Sequence, residues 1–512
     1  MAGVAAAVGF WLVLAILQVA DLGLYSDDWA ISWTVWDGGY WDAVEGQFDV
    51  LGSKPLLAFM LPAPYAVFGL DDPTGHQVLA VLLVAATTAI FYRVLRALTF
   101  RPADAVPIAL LALLFPWASG VRIWPTGAVN NVAVMLLFAG LLVALRGLRV
   151  PGPRGLVIHL AASTLLAASV LVYESTTGVA LFLWLIYLWR AGWRPAAPRA
   201  AMDVCAVAAA AIWSSDHTYK YIAPFEDQIA HIPDILRDGL DLVAASLVPV
   251  SYPAAYPAAL TMLVIGAAVA VVWVAASRSP EARRWASVAG GCVLALGLCW
   301  AIYAPQAFYT PTFEGIEDRV NVVAIYPAAI LVWAALRAAA TLAPRNGGAL
   351  AAGAAALVLV GYGAFDLLQQ RDWARSWEVQ QDVLAAIESA DPGADDLVLV
   401  FDFPGETGPN VPTFNQSYDL WPAAQIRTDS DIATYPVFEG AELSCTSKGV
   451  AVERLPTPLY WFINLNDRET PKLTPYGGAV FVDVEGGRSE AIASRGNCDR
   501  ALAAFPPGPW RE

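Results

Sequence analysis

The segment from residue 25 to residue 76 is the first part of the chain whose residue types could do chemistry. It holds eight acids and a single lysine: Asp27, Asp28, Asp37, Asp42, Glu45, Asp49, Asp71, Asp72 and Lys54. A carboxylate can take a proton from a hydroxyl group, and a cation can hold a phosphate as it leaves. The adjacent pair Asp27 and Asp28, together with the lone Lys54, are therefore the first candidates for these roles.

Four aromatic residues follow the acidic pair at intervals of four, three and four, namely Trp29, Trp33, Trp36 and Tyr40. This spacing predicts a helix that lies along a membrane surface with its rings at headgroup depth. Ser26 is the expected N-cap, so that Asp27 and Asp28 occupy a first turn where the helix dipole favours ionised carboxylates. A purely structural reading stays open, in which the acids stabilise the helix and the rings anchor it.

The composition indicates that membrane helices position this segment. Hydrophobic residues make up 58% of the 512 residues and charged residues 15%, and the mean hydropathy is +0.53. An average soluble domain has roughly 25% charged residues. A soluble multidomain enzyme and a disordered chain are therefore excluded, and the net charge of −15 also argues against a nucleic-acid binder.

Apolar stretches of spanning length predict about eleven transmembrane helices. They cover residues 3–23, 77–98, 104–120, 127–145, 156–173, 175–189, 201–213, 259–277, 285–303, 320–338 and 347–364. With the N-terminus in the cytoplasm, the inner connectors hold fourteen of the nineteen basic residues before residue 365, as the positive-inside rule requires. The first stretch lacks a basic start and a cleavage site, so we interpret it as a retained helix.

A second domain is expected after the last span. Residues 1–364 form the predicted membrane domain, and residues 365–512, with 23 acids and 11 basic residues, form a predicted extracytoplasmic α/β domain. Cys445 and Cys498 are the two cysteines of this domain, and either a disulfide or two free thiols is compatible with their number. Cys205, Cys292 and Cys299 lie in apolar stretches and are expected to be packing residues.

Three landmarks in the first hundred residues carry a family resemblance: Asp27-Asp28, Lys54-Pro55 and Phe68-Gly69. Their order resembles the first outer loop of the C-type fold (GT-C) membrane glycosyltransferases that use polyprenyl-phosphate sugars. The protein O-mannosyltransferases and the lipid A aminoarabinose transferases belong to this group. The resemblance implies an all-α membrane domain with surface helices in the first outer loop, inverting transfer of a sugar to an acceptor hydroxyl, and Asp27 as the general base.

Cations for the donor phosphate can be sought independently of the resemblance. Lys54, Arg122 and Arg319 are the candidates, since each lies in an expected outer connector. Arg122 could instead extend to the interface beside Trp124. Arg319 could be neutralised by the preceding acids, which are Glu314, Glu317 and Asp318.

Glu174, His217 and Lys220 are candidates for an acceptor site or a gate, because they lie in or beside the expected outer loops. Glu174 could equally be an acid that stabilises a helix start. No metal site and no cofactor are expected, although a divalent cation stays open. The expected partners are a polyprenyl-phosphate sugar, membrane lipid and an acceptor that is an envelope glycan, a glycolipid or a protein. Alternative functions are a surface-polysaccharide polymerase or ligase, and a non-enzymatic lipid or glycan transporter.

Overall fold

A computed structural model describes most of the chain. The described residues are 2–217, 223–248, 257–305, 309–313, 315–343, 345–455 and 473–509. The chain is mostly helical, and a small region with strands follows residue 396. Lys220 and Glu314 lie outside the described residues, so their predicted roles stay predictions.

Seventeen helices precede the first strand in the described part of the chain. They are α1 Ala2–Asp21, α2 Asp27–Leu51, α3 Pro55–Met60, α4 Pro62–Phe68, α5 Pro73–Ala97, α6 Pro102–Leu113, α7 Pro125–Ala128, α8 Asn131–Arg149, α9 Pro153–Val172, α10 Thr177–Phe182, α11 Trp184–Ala191, α12 Trp193–Asp216, α13 Phe225–Leu247, α14 Ala258–Arg278, α15 Pro280–Ala301, α16 Ile325–Ala340 and α17 Gly347–Ser389. Short 3-10 segments are formed by Ser119–Val121, Glu174–Thr176 and Gly315–Asn321. Several helices begin on proline, whose fixed φ suits the first helical position.

Seven helical stretches of the described residues are long and apolar enough to cross a membrane, judged by length and composition. They are α5, α7 with α8, α9, α12, α14, α15 and α17. An eighth is reached if the segment Gly315–Asn321 and α16, which meet at a bend of 74°, count as one span. This is compatible with a multi-pass membrane protein, but the predicted number of eleven is not confirmed.

Two of the predicted spans differ from the observed helices for a local reason. The stretch 104–120 is helical only to Leu113, shortly before Pro116, and the residue that precedes a proline disfavours helical backbone. The stretch 175–189 is divided between α10 and α11. Hydropathy measures how apolar a stretch is, and it does not show where the helix within it breaks.

The predicted domain boundary at Phe365 falls inside a single helix. Helix α17 continues for 43 residues, from an apolar first half to a polar second half that enters the C-terminal region. Between Gly363 and Pro392 the sequence contains neither glycine nor proline, so nothing ends the helix there. The change of composition therefore indicates that the helix enters different surroundings, and it does not indicate that the helix ends.

The C-terminal region contains the strands β1 Leu397–Phe401, β2 Glu406–Gly408, β3 Val411–Pro412, β4 Ala433–Pro436, β5 Glu442–Cys445, β6 Gly449–Arg454, β7 Leu473–Pro475, β8 Ala479–Asp483 and β9 Arg488–Ala491, with helices α18 Ser417–Thr428 and α19 Arg495–Ala504. The largest sheet has the order β4-β1-β8-β9, in which β1 is parallel to β4 and β8, and β9 is antiparallel to β8. Strands β1 and β8 are buried throughout, as central parallel strands are. A disulfide between Cys445 and Cys498 joins β5 to α19.

Two buried polar pairs involve helices that are long and apolar enough to span a membrane. His159 of α9 lies 3.1 Å from Asp203 of α12, which also accepts a hydrogen bond from Ser163. Arg122 lies 2.6 Å from Asp366 of α17. Removing one partner of such a pair leaves an uncompensated buried charge, so these contacts fix the relative positions of the helices.

Candidate functional site

The start of α2 has an unusual backbone. Ser26 occupies the predicted N-cap position, but its φ of 50° lies in the left-handed region and its hydroxyl makes no capping hydrogen bond. The hydroxyl lies instead 3.2 Å from that of Tyr418 in the C-terminal region. Non-glycine residues in this conformation cluster at functional sites. The next residue, Asp27, is partly exposed.

Asp28 is fully buried and saturated with donors. One oxygen accepts hydrogen bonds from the Tyr65 hydroxyl and from the backbone N–H and hydroxyl of Thr126, and the other accepts from the Tyr25 N–H. Burial raises the pKa of Asp28 to about 7 against the lowering effect of these hydrogen bonds. Its contribution to stability is therefore complete below about pH 4 and is lost as the pH rises towards 7. The contacts suit a carboxyl that holds the loop.

The predicted aromatic stripe does not lie at headgroup depth along its whole length. Trp29 is buried, donates a hydrogen bond to Gln380 of α17 and stacks on Trp377. Trp33 donates to Gln425 of α18. The prediction is wrong for Trp29, because the second half of α17 covers its ring. Trp33 is only partly buried, so its depth stays a prediction.

The structure brings two of the predicted site residues, Lys54 and Glu174, into contact. Lys54 immediately precedes α3, and its ammonium lies 3.1 Å from the Glu174 carboxylate and 4.7 Å from the centroid of the Tyr173 ring. Lys54 is buried. One ion pair uses only part of an ammonium group with three N–H donors, so further hydrogen-bonding capacity remains.

Arg319 lies in the 3-10 segment Gly315–Asn321, above the ring of Trp124 at 5.4 Å from its centroid. Its side chain hydrogen-bonds to the Tyr309 hydroxyl and interacts electrostatically with Asp27 and Tyr173. The neighbouring Asp318, expected to neutralise it, binds the N–H groups of Ser119 and Gly120 and the Ser119 hydroxyl. Asp318 thus fixes this segment against the segment Ser119–Val121.

These contacts define a single polar cluster, which we call the Asp27 cluster. Its members are Asp27, Lys54, Tyr173, Glu174, Tyr309, Arg319, Tyr418 and Asp419. Tyr173 links its two cations, since the charges of Lys54 and Arg319 both act on its hydroxyl. Asp27 interacts electrostatically with Arg319, and Arg319 is linked to Lys54 through Tyr173. Residues from distant segments are therefore candidates for proton removal beside a leaving anion.

The sequence did not point to Tyr418 and Asp419 of α18. Asp419 is fully buried, and one oxygen accepts the N–H groups of Gln416 and Leu420 at the helix start. The other oxygen has no hydrogen-bond partner within the described ranges. Burial, aided by the charge of Asp27, raises the pKa of Asp419 well above its ordinary value and favours the neutral acid. The only signal available beforehand was the capping pattern of Gln416 and Asp419, which predicts a helix start and no more.

The remaining predicted residues are placed differently. The ion pair of Arg122 in the described chain is with Asp366, and it is Arg319 that lies over Trp124, so the observed pairing of Arg122 favours a structural role. His217 stacks on Trp213, whose indole N–H donates to the Gly52 carbonyl close to Lys54. The roles of Arg122 and His217 as ligands stay predictions.

No group of three or more histidine, cysteine, aspartate and glutamate side chains placed to hold a metal ion occurs in the part of the chain that the structure describes. Comparison of this chain with protein-family models, with curated proteins and with solved structures finds no match.

Proposed function

We propose that this protein transfers a sugar from a polyprenyl-phosphate donor to an acceptor hydroxyl, with inversion at the anomeric carbon. The observation that carries the proposal is the electrostatic linkage of Asp27 to Arg319, and of Arg319 through Tyr173 to Lys54, in one partly buried cluster. The apolar helices around it support a substrate that arrives in the membrane. The resemblance of Asp27-Asp28, Lys54-Pro55 and Phe68-Gly69 to GT-C enzymes supports the same class.

In the proposed step, the acceptor oxygen attacks the anomeric carbon of the donor. Its proton passes to the Asp27 carboxylate, and the bond between the anomeric carbon and the phosphate oxygen breaks. The electron pair of that bond leaves with the lipid phosphate. Lys54 and Arg319 stabilise the charge that develops on the phosphate, and Asp28 and Ser26 hold the loop that carries Asp27.

Asp419 and Tyr418 bring the C-terminal region into this site. A neutral carboxyl group at Asp419 adds no second negative charge beside Asp27, the proposed general base. The tyrosine hydroxyls supply hydrogen bonds while their rings reduce contact with water, and electrostatic stabilisation is stronger where water is excluded. We therefore assign the C-terminal region a part in forming the site.

The test is a transfer assay with the purified protein, a panel of polyprenyl-phosphate sugars and an envelope extract as acceptor. We expect a glycosylated product of inverted configuration and one released polyprenyl phosphate for each sugar transferred. A product lengthened by many sugar units would favour a polysaccharide polymerase or ligase. Donor binding without any bond cleavage, together with movement of the donor across vesicle membranes, would favour a transporter and overturn the proposal.

Lys54→Met should weaken donor binding, and a thermal unfolding curve of each variant checks that loss of the ion pair with Glu174 has not unfolded the protein. If the ammonium holds the donor phosphate, its loss removes a charge-assisted hydrogen bond that is worth about 1.5–3 kcal/mol, or roughly a 10- to 150-fold rise in Kd. Titration calorimetry with a non-reactive donor analogue measures this. Lys448→Met, at an exposed lysine of the C-terminal region, is the matched control. Unchanged donor affinity in Lys54→Met would remove Lys54 from the site.

We also propose a cytoplasmic N-terminus and an extracytoplasmic C-terminal region, as the distribution of basic residues supports. A reporter that is active only in the cytoplasm, fused after Glu512, should give no signal, while a reporter that requires export should be active. The reverse result would place the Asp27 cluster on the cytoplasmic side, where lipid-linked sugars are not the only activated donors.

A further inference from the structure

Helix α13 carries an exposed apolar stripe that no part of the described structure covers. Its five members lie at helical spacing and are between 41% and 76% exposed: Phe225, Ile229, Ile232, Leu236 and Leu240. At about 100° per residue they fall within a sector of roughly 80° on the helix surface. Monomeric soluble surfaces rarely carry so continuous an apolar feature.

A second face of α13 packs against the helical domain. Ser246 accepts a hydrogen bond from Tyr362 of α17 through its carbonyl, and Gly239 faces Trp300 of α15, whose ring lies 2.7 Å from where a Cβ would be. The imidazole of His231 makes a 2.8 Å hydrogen bond with the Tyr309 carbonyl. This face lies about 100° from the apolar stripe, so the two serve different neighbours.

The third face is charged and acidic. It contains Glu226, Asp227, Asp234, Arg237, Asp238 and Asp241. Its centre lies about 140° from the apolar stripe. So many charges exclude α13 as a span, and their separation from the stripe is the pattern of a helix that lies in a membrane surface with its polar side towards water.

Helix α13 lies at the end of a candidate membrane span. Asp241 accepts a 2.6 Å hydrogen bond from Thr261, in the first turns of the apolar helix α14. The same part of α14 exposes Leu260, Met262 and Leu263, which belong to a stretch long and apolar enough to span a membrane. Leu240, the last residue of the stripe, directly precedes Asp241, so the stripe ends beside the first turns of a candidate span, at the depth of a membrane boundary.

We propose from this depth, and from the separation of the apolar and acidic sides, that α13 is an interfacial helix whose apolar stripe is embedded in the acyl boundary of the membrane. Its second face is held by α15 and α17, Asp241 is held by α14, and the rest of its acidic face is in water. The hydrogen bond from His231 to the Tyr309 carbonyl joins α13 to Tyr309, whose hydroxyl hydrogen-bonds to Arg319. Helix α13 therefore helps to position Tyr309.

The experiment measures which side of α13 faces lipid, with the full-length protein in phosphatidylcholine vesicles. A Cys205→Ser background removes the exposed free cysteine, while the buried Cys292 and Cys299 and the bonded pair stay unlabelled. Spin labels are introduced by Ile229→Cys and Leu236→Cys on the stripe. Matched labels are introduced by Asp227→Cys and Asp234→Cys on the acidic face, and size-exclusion chromatography checks that each variant is folded.

We expect the stripe labels to collide at least threefold more often with oxygen than with a water-soluble nickel complex, and the acidic-face labels to show the opposite ratio. Equal access of nickel to all four labels would place the stripe in water and overturn the proposal. Protection of the stripe labels from both reagents would mean that protein covers the stripe, and would overturn it as well. Since no substrate is used, the result is independent of the proposed transferase activity.

Discussion

Replacing Asp27 with asparagine should lower the rate of sugar transfer at least a hundredfold, while the protein still inserts in the membrane and binds its donor. Asparagine keeps the size of the side chain but cannot accept the proton of the acceptor hydroxyl. A general base contributes typically 10²–10⁴-fold to a rate. An acid that only stabilises the first turn of a helix contributes about 0.3–1 kcal/mol to stability and nothing to the chemical step. Single-turnover transfer with donor-saturated protein measures the difference.

Two further variants make this result specific. Asp37→Asn changes an exposed acid of the same helix and should leave transfer unchanged. Asp28→Asn alters a buried carboxyl with four hydrogen bonds, so its main effect should be on thermal stability. If Asp27→Asn transfers sugar at the normal rate and a stably folded Asp28→Asn does not, the roles of the two residues are reversed. Normal rates in both variants would rule out the mechanism.

Arg319→Met should lower the maximal rate of transfer by roughly 10²–10³-fold, as the loss of one preorganised donor to a developing anion does. The guanidinium hydrogen-bonds to Tyr309 and interacts electrostatically with Asp27. Its loss should therefore affect the departure of the phosphate more than the binding of the donor. Rate and donor affinity, measured separately, distinguish these effects. Arg319→Lys keeps the charge but loses the planar set of donors, so we expect it to recover only part of the rate.

The matched control is Arg454→Met, at an exposed arginine of β6 that is remote in sequence from the cluster. It should transfer sugar normally. A change in the unfolding temperature of Arg319→Met, without any change in its maximal rate, would mean that the contact with Trp124 serves packing alone. In that case Lys54 would be the remaining cation of the proposed phosphate site.

Much of the molecule could be predicted because local residue chemistry decides it. The composition predicts apolar helices, and proline starts several of those observed. Lys54-Pro55 and Phe68-Gly69 mark where the helices α3 and α4 begin and end, and Gly69 has the positive φ of 107° that glycine permits there. The strands β1 and β8 were visible as short apolar runs between turn residues.

The sequence also singled out four members of the Asp27 cluster, because charged residues beside apolar stretches are few. They are Asp27, Lys54, Glu174 and Arg319. The number of membrane spans could not be predicted as well, since a helix can break within an apolar stretch, as between α10 and α11. The length of α17 could not be predicted either, because a helix can also continue past the end of an apolar stretch. Its composition changes near Phe365, but no residue there ends a helix.

The sequence by itself therefore determined that the chain carries apolar helices of spanning length, and which segment carries the acids. Helix periodicity, turn residues and hydropathy act over short distances, so they can be seen in the sequence. Only the tertiary structure decided which residues meet. Tyr418 reaches Ser26 across 392 positions of sequence, and Trp29 is buried by a helix that the periodicity of its own segment cannot reveal. Asp28 and Asp419 owe their raised pKa values to desolvation, which depends on what the rest of the chain packs against them.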